Sequence, residues 1–168
     1  MKWSQLRHQV ENRFADSIAG RVSIHNARYR TFWWGASRVW IEIDKTQVIN
    51  MSWMTGGGEF DKEAHRLMNL KPTQRVPWTV PPHIETAVKT ILASRSVFSN
   101  QDAVNAFQDF LMNPVENNLK SENPLLRALS MLDRKVGKRR LKSLNAKEEH
   151  PLVRQLYEFR CKAEGIGL

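Results

Sequence analysis

The stretch Arg38-Val39-Trp40-Ile41-Glu42-Ile43-Asp44-Lys45-Thr46-Gln47-Val48-Ile49-Asn50-Met51-Ser52-Trp53 decides the fold. Val39, Ile41 and Ile43 alternate with Arg38, Trp40, Glu42 and Asp44, the period of two expected of a strand with one face packed and the other wet. Asp44-Lys45-Thr46-Gln47 reads as a polar turn, after which Val48 to Trp53 returns antiparallel. Upstream, Val22 and Ile24 alternate with Arg21, Ser23 and His25, which adds another strand. Before it, Trp3, Leu6, Val10 and Phe14 recur at three- and four-residue spacing and Gly20 stands where a helix stops. Residues 4 to 18 therefore read as a helix able to cover one face of a three-stranded meander.

Downstream, Gly56-Gly57-Gly58 reads as a flexible turn closing the sheet region, because three glycines lose too much backbone freedom to be held in a strand. The triplet lacks the Gly-Lys-Ser/Thr ending of a phosphate loop. Asp61 to Leu70 fits a short helix, and Pro77, Pro81 and Pro82 make residues 71 to 82 an extended connector. Ile84, Val88, Ile91 and Leu92 form the next helical stripe. Ser99 with Asp102 opens another helix through Val104, Phe107 and Leu111, Asn123-Pro124 opens a third, and His150-Pro151 starts a fourth that ends at Gly165. The pattern is α+β: an N-terminal helix with a small antiparallel meander, followed by a C-terminal helical array. A chain of 168 residues suits a single domain, 1–168. The alternative is two subdomains, 1–70 and 83–168, joined by the connector 71–82.

Charge narrows the partners. The chain carries 26 Lys and Arg against 17 Asp and Glu, a formal net charge of +9. Residues 121 to 168 hold 11 basic and 6 acidic side chains, so the excess lies late in the chain. Such an excess attracts phosphate-rich partners or acidic proteins. The longest uncharged run, residues 46 to 58, is 13 residues and ends in glycine, too short for the roughly 20 apolar residues of a membrane span. Met1-Lys2-Trp3-Ser4-Gln5-Leu6-Arg7-His8 puts polar residues where a signal peptide needs its apolar stretch, so a cytoplasmic protein is expected. The single cysteine, Cys161, forms no internal disulfide and reads as a small packed residue. Nothing in the sequence calls for a cofactor.

The segment Leu125 to Leu144 is the most informative for function. Read as a helix, it puts Leu125, Leu129, Leu132 and Val136 on one face and Arg127, Arg134 and Lys138 opposite. Continued past Gly137, the helix would bring Arg139 toward the apolar stripe, so a break is expected at Gly137. Six of the nine residues from Arg134 to Lys142, namely Arg134, Lys135, Lys138, Arg139, Arg140 and Lys142, are cationic and none is acidic. With Arg127 they form the leading candidate surface for nucleic acid or another polyanion; the plainer reading is a solvated helix end.

A secondary candidate is Arg28, Tyr29, Arg30, Trp33 and Trp34, where cations and aromatics interleave as in surfaces that stack bases. Core packing competes for Trp33 and Trp34, since six tryptophans must mostly find burial. Glu42 and Asp44 on one strand face, with His25 nearby, would suit a metal-dependent nuclease, but acids on the wet face of a strand are ordinary. The five histidines are too scattered to define a metal site and read as surface or capping residues. In the last helix Leu152, Leu156, Phe159 and Ala163 form the packing stripe, with Tyr157 and Arg160 off it.

Stretches at both ends of the chain carry a resemblance. The opening, from Trp3 through Gly20-Arg21-Val22 to Tyr29-Arg30 and Arg38-Val39-Trp40-Ile41, is similar to an uncharacterised family of small bacterial proteins. So are Met131-Leu132-Asp133-Arg134-Lys135-Val136-Gly137-Lys138-Arg139-Arg140-Leu141 and Arg160-Cys161-Lys162-Ala163-Glu164-Gly165. The resemblance implies a bacterial source and transfers no site, since no activity is assigned to that family. The residues themselves favour a non-enzymatic basic binding protein. The alternatives are a protein-interaction module of antitoxin, immunity or defence accessory type meeting an acidic protein partner, and the nuclease using Glu42 and Asp44.

Overall fold

The computed structural model describes residues 2–28, 37–144 and 150–167. Strands β1 (Val22–Arg28), β2 (Ser37–Ile43) and β3 (Thr46–Ser52) form one antiparallel sheet in that order. Ile24 lies opposite Ile41 and Ile41 opposite Ile49, and the alternate residues Val22, Val39, Ile43 and Met51 complete a buried face. The β2–β3 turn is tighter than the expected four residues. Asp44 (φ 49°) and Lys45 (φ 66°) both adopt the left-handed conformation, the requirement of a two-residue hairpin whose twist matches its strands. The Arg21 guanidinium clamps the Asp44 carboxylate at 2.6 and 2.9 Å.

Three elements depart from expectation. Helix α1 (Trp3–Glu11) stops short of residue 18, and Asp16–Ile18 form a separate 3-10 turn. Between them Phe14 pairs with Asp133, Arg134 N–H donates to the Arg13 carbonyl at 2.8 Å, and Ala15 N–H to the Leu132 carbonyl at 2.9 Å. A partner far along the chain has taken the backbone groups that a longer helix would use. The glycine triplet is no flexible turn: helix α2 (Trp53–Leu67) runs through it, starting directly from the sheet where the Ser52 hydroxyl accepts from Met54 N–H at 3.2 Å. Its apolar side, with Phe60, Ala64 and Leu67, packs against Val88 and Leu92, and this burial overrides the helix penalty of glycine. The third departure is α6 (Pro124–Leu132), which ends at Asp133, four residues before the expected break at Gly137.

Residues 68 to 81 connect α2 to α3 (Pro82–Ser94). Then follow α4 (Asn100–Met112), α5 (Val115–Leu119), α6, α7 (Lys138–Ser143) and α8 (Pro151–Ala163). The caps read from the sequence are formed. Ser99 and Asp102 close a reciprocal box at α4, Asn123 accepts from Leu125 N–H at 3.0 Å at α6, and Gly165 takes φ 69° after α8. One apolar cluster joins Val10 of α1 and Ile24, Ile41 and Met51 of the sheet to Phe107, Leu125 and Leu156 of the helices. A second, smaller cluster lies inside the α2–α3 hairpin. No helix among the described residues is long and apolar enough to cross a membrane.

The glycine triplet separates packing from propensity. A Cβ at Gly56 would stand 3.0 Å from the backbone N and Cα of Ser99, whereas one at Gly58 would meet nothing within 4 Å. Gly58→Ala is expected to stabilise by about 1 kcal/mol, and Gly56→Ala to destabilise by about the same or more, in urea unfolding. Equal effects at both positions would contradict this assignment of the close contact.

Candidate nucleic-acid interface

The cationic segment is anchored by a buried ion pair. Asp133 is fully buried at the end of α6, and one of its carboxylate oxygens accepts from an Arg13 Nη. The other accepts from Lys135 N–H at 2.8 Å, and the Asp133 carbonyl from Val136 N–H at 3.0 Å, which turns the chain. The same Arg13 donates to the Phe110 and Leu111 carbonyls at the end of α4 and lies 4.4 Å over the Phe110 ring. Buried Val136 and Leu141 hold the far side of the turn, the latter through the Tyr157 hydroxyl, which donates to its carbonyl at 3.1 Å.

On this frame Arg134, Lys135, Lys138, Arg139 and Lys142 are exposed and Arg140 is half-buried. Lys138 stands 3.4 Å from Glu164 and Arg140 2.8 Å from Glu116. The Arg140 hydrogen bond is the main cause that holds the Glu116 carboxyl below its usual range. Arg134, Lys135, Arg139 and Lys142 have no carboxylate within ion-pair distance among the described residues. By the step of about 100° per residue, Lys138, Arg139 and Lys142 share one arc of α7, with Leu141 turned inward. Arg127 does not join them. Because α6 ends at Leu132, the helical projection that grouped Arg127 with Arg134 and Lys138 fails, and Arg127 instead donates to the Ser121 carbonyl at 2.5 Å near the start of α6.

Of the secondary candidates, Arg28 is exposed at the end of β1; Tyr29, Arg30, Trp33 and Trp34 lie outside the described residues. Glu42 and Asp44 have separate partners: Glu42 stands 3.3 Å from His25 and accepts from the Trp40 indole at 2.9 Å, while Asp44 has left the strand for the turn and is held by Arg21. Among the described residues no group of three or more His, Cys, Asp and Glu side chains is placed to hold a metal ion. His150 caps α8 as read from the sequence, its Nδ1 accepting from Leu152 N–H at 3.2 Å. Its Nε2 lies 2.8 Å from the Ala93 carbonyl, so that nitrogen carries the proton.

Sequence reasoning missed two features. Arg160, off the apolar stripe of α8, is buried, donates to the Ser17 hydroxyl and pairs with Glu164 at 2.6 Å. Burial lowers the Arg160 pKa and raises that of the Cys161 thiol, which fits Cys161 as a packing residue. The other is a cleft of about 880 Å³ between the α2–α3 hairpin and the starts of α4, α6 and α8. Trp53, Met54, Gly57 and Gly58 of α2 line one wall, and Asn123, Arg127 and His150 stand on the other elements around it. Only the uncharged run before Glu59 hinted at it.

A model of a family described as the SF0329 protein family matches residues 2–161 of the chain. The match takes in the opening from Trp3 to Ile41 and the segment Met131 to Leu141 that carry the resemblance, and ends within the last one, at Cys161. No curated protein and no solved structure matches.

The Ser17–Arg160–Glu164–Lys138 group makes stability depend on pH. The Ser17 hydrogen bond first, opposed by burial and aided by the Arg160 and Lys138 charges, holds the Glu164 carboxyl below its ordinary value of 4.5. A depressed folded-state pKa stabilises above the unfolded value and ceases to do so as pH falls through the folded one. Unfolding free energy is therefore expected to drop below about pH 4.5. Glu164→Gln should lose about 3 kcal/mol at pH 7 by leaving Arg160 buried without its charge partner, and should show a shallower acid decline. Parallel pH profiles for the two proteins would contradict this role.

Proposed function

We propose that this chain, which belongs to the SF0329 protein family, is a non-enzymatic binding protein that holds nucleic acid or another polyanion through the phosphates. The corner from Arg134 through α7 makes the contact. The observation that carries the reading is the set Arg134, Lys135, Arg139 and Lys142: four exposed cations with no carboxylate within ion-pair distance among the described residues, Lys135 alone feeling the charge of Glu116, on a backbone pinned by Asp133. Cations placed in advance around a fixed turn lose less side-chain and loop freedom when a polyanion arrives. Lys138 and Arg140 add charge at the edges, each partly offset by its glutamate. Nothing in this arrangement aims at base edges, so the contact is with the backbone of the nucleic acid.

Binding of nuclease-treated protein to mixed-sequence RNA and to single- and double-stranded DNA, at roughly 50 and 200 mM salt, tests the reading. Four phosphate contacts predict an affinity loss of about 100-fold over that salt range for DNA duplex. Arg134→Glu with Arg139→Glu should keep the fold, weaken binding and reduce the salt slope by about 2. Wild-type affinity in the double variant would overturn the assignment, and no binding to any of the three at low salt would turn the reading toward an acidic protein partner.

A further inference from the structure

The cleft is the feature that the phosphate contact leaves unused. It is concave, of ligand-pocket size, and more apolar than polar in its walls. Trp53, 51% exposed, stands on one wall, and Met54 beside it is 53% exposed. The indole rests on its own helix: a Cβ at Gly57 would lie 3.6 Å from the ring. Bare backbone at Gly57 thus beds one face of a flat aromatic group, and the exposure of that group leaves the rest of its surface available. Gly58 keeps the adjoining wall open, since nothing stands within 4 Å of where its side chain would be. A helix start with three consecutive glycines is costly, and contact with Ser99 accounts for Gly56 alone.

The charges around the cleft show which part of a nucleic acid suits it. Among the described lining residues Lys89 and Arg127 are matched by Asp61, Asp102 and Glu122, so these walls hold no cationic excess for a phosphate. Asp102 is already used in the α4 cap, and Lys89 stands 2.6 Å from Glu85. Asp61 places a carboxylate acceptor on the wall, and the Thr90 hydroxyl, which donates to the Thr86 carbonyl at 3.0 Å, keeps acceptor capacity there, so both suit the N–H groups on the polar edge of a planar ring. The cleft and the cationic corner lie at opposite ends of α6, whose nine residues span about 13 Å. A few nucleotides of extended single strand cover such a distance, within the footprints of roughly 4–16 nucleotides typical of single-strand binders.

We infer that the cleft is a nucleobase site: an unpaired base of a single-stranded nucleic acid stacks on Trp53 above the Gly57–Gly58 backbone while phosphates along the strand are held at α7. This rests on the polyanion reading and narrows it to single strands, because a paired base is not free to enter. The site supplies the uncharged half of recognition and the corner the charged half.

The test compares a single-stranded mixed-sequence oligonucleotide with the duplex of the same sequence, using wild type, Trp53→Ala and Gly58→Leu. Wild type should prefer the single strand, and Trp53→Ala should weaken single-strand binding by about tenfold with duplex binding unchanged. Gly58→Leu fills the cleft while favouring the helix, so it should abolish the preference with unfolding temperature at or above wild type. Equal binding of single strand and duplex, or a preference unaffected by Gly58→Leu, would overturn the nucleobase site while leaving the phosphate reading intact. Absence of any salt-sensitive binding in wild type would overturn both.

Discussion

The ion pair between Arg13 and Asp133 is the constraint on which the rest depends. An aspartate with no exposed surface must be paired and hydrogen-bonded, or the desolvation of its charge would cost several kcal/mol. Every acceptor position of this carboxylate that the fold uses does structural work: one oxygen takes Arg13, the other closes the turn at Lys135. Through Arg13 the same pair reaches the end of α4. Three segments distant in sequence, the end of α1, the end of α4 and the end of α6, are thereby fixed relative to one another. The early stop of α1 and the early stop of α6 are two consequences of one contact.

A second buried group, Arg160 with Glu164 and Ser17, repeats the logic one layer away and ties α8 to the 3-10 turn. Between these two groups the chain from Arg134 to Lys142 has little freedom left: Val136 and Leu141 are buried, and the residues between them are turned outward. Cations gather on the surface here because the positions that face inward are taken by apolar residues and by Asp133. Asp133 is taken by Arg13, and Glu164 is shared between Arg160 and Lys138. The α2–α3 hairpin stands apart from this frame, with its own small apolar cluster, and the cleft lies where hairpin and frame meet.

What was legible in the sequence is what depends on neighbours in sequence. The period of two from Val39 to Ile43 identifies the sheet, Ser99 with Asp102 the start of α4, Asn123-Pro124 the start of α6, and Gly165 the end of α8. The break at Asp133 was not legible, because the apolar spacing Leu129, Leu132, Val136 continues unbroken across it and its cause lies 120 residues upstream. For the same reason the single-helix projection that groups Arg127 with Arg134 and Lys138 does not hold beyond Leu132. The glycine triplet misled in the opposite direction: its intrinsic preference is against a helix, and packing on Ser99 and on α3 decides otherwise. For Arg160 the sequence places the side chain off the apolar stripe and no further: Glu164 lies one turn along the same helix, but Ser17, 143 residues upstream, is brought to it only by the fold.

The central claim is that the cations act as a surface because Asp133 fixes the corner beneath them, and it can be set directly against a mere count of charge. Asp133→Asn raises the net charge by one, keeps the size of the side chain and removes the ionic hold on Arg13. The decisive measurement is the affinity of this variant for a single-stranded oligonucleotide at low salt, with circular dichroism at the same temperature establishing that it is folded. The account predicts binding several-fold weaker than wild type despite the added positive charge. Equal or tighter binding by the folded variant would mean that charge alone suffices and would contradict it.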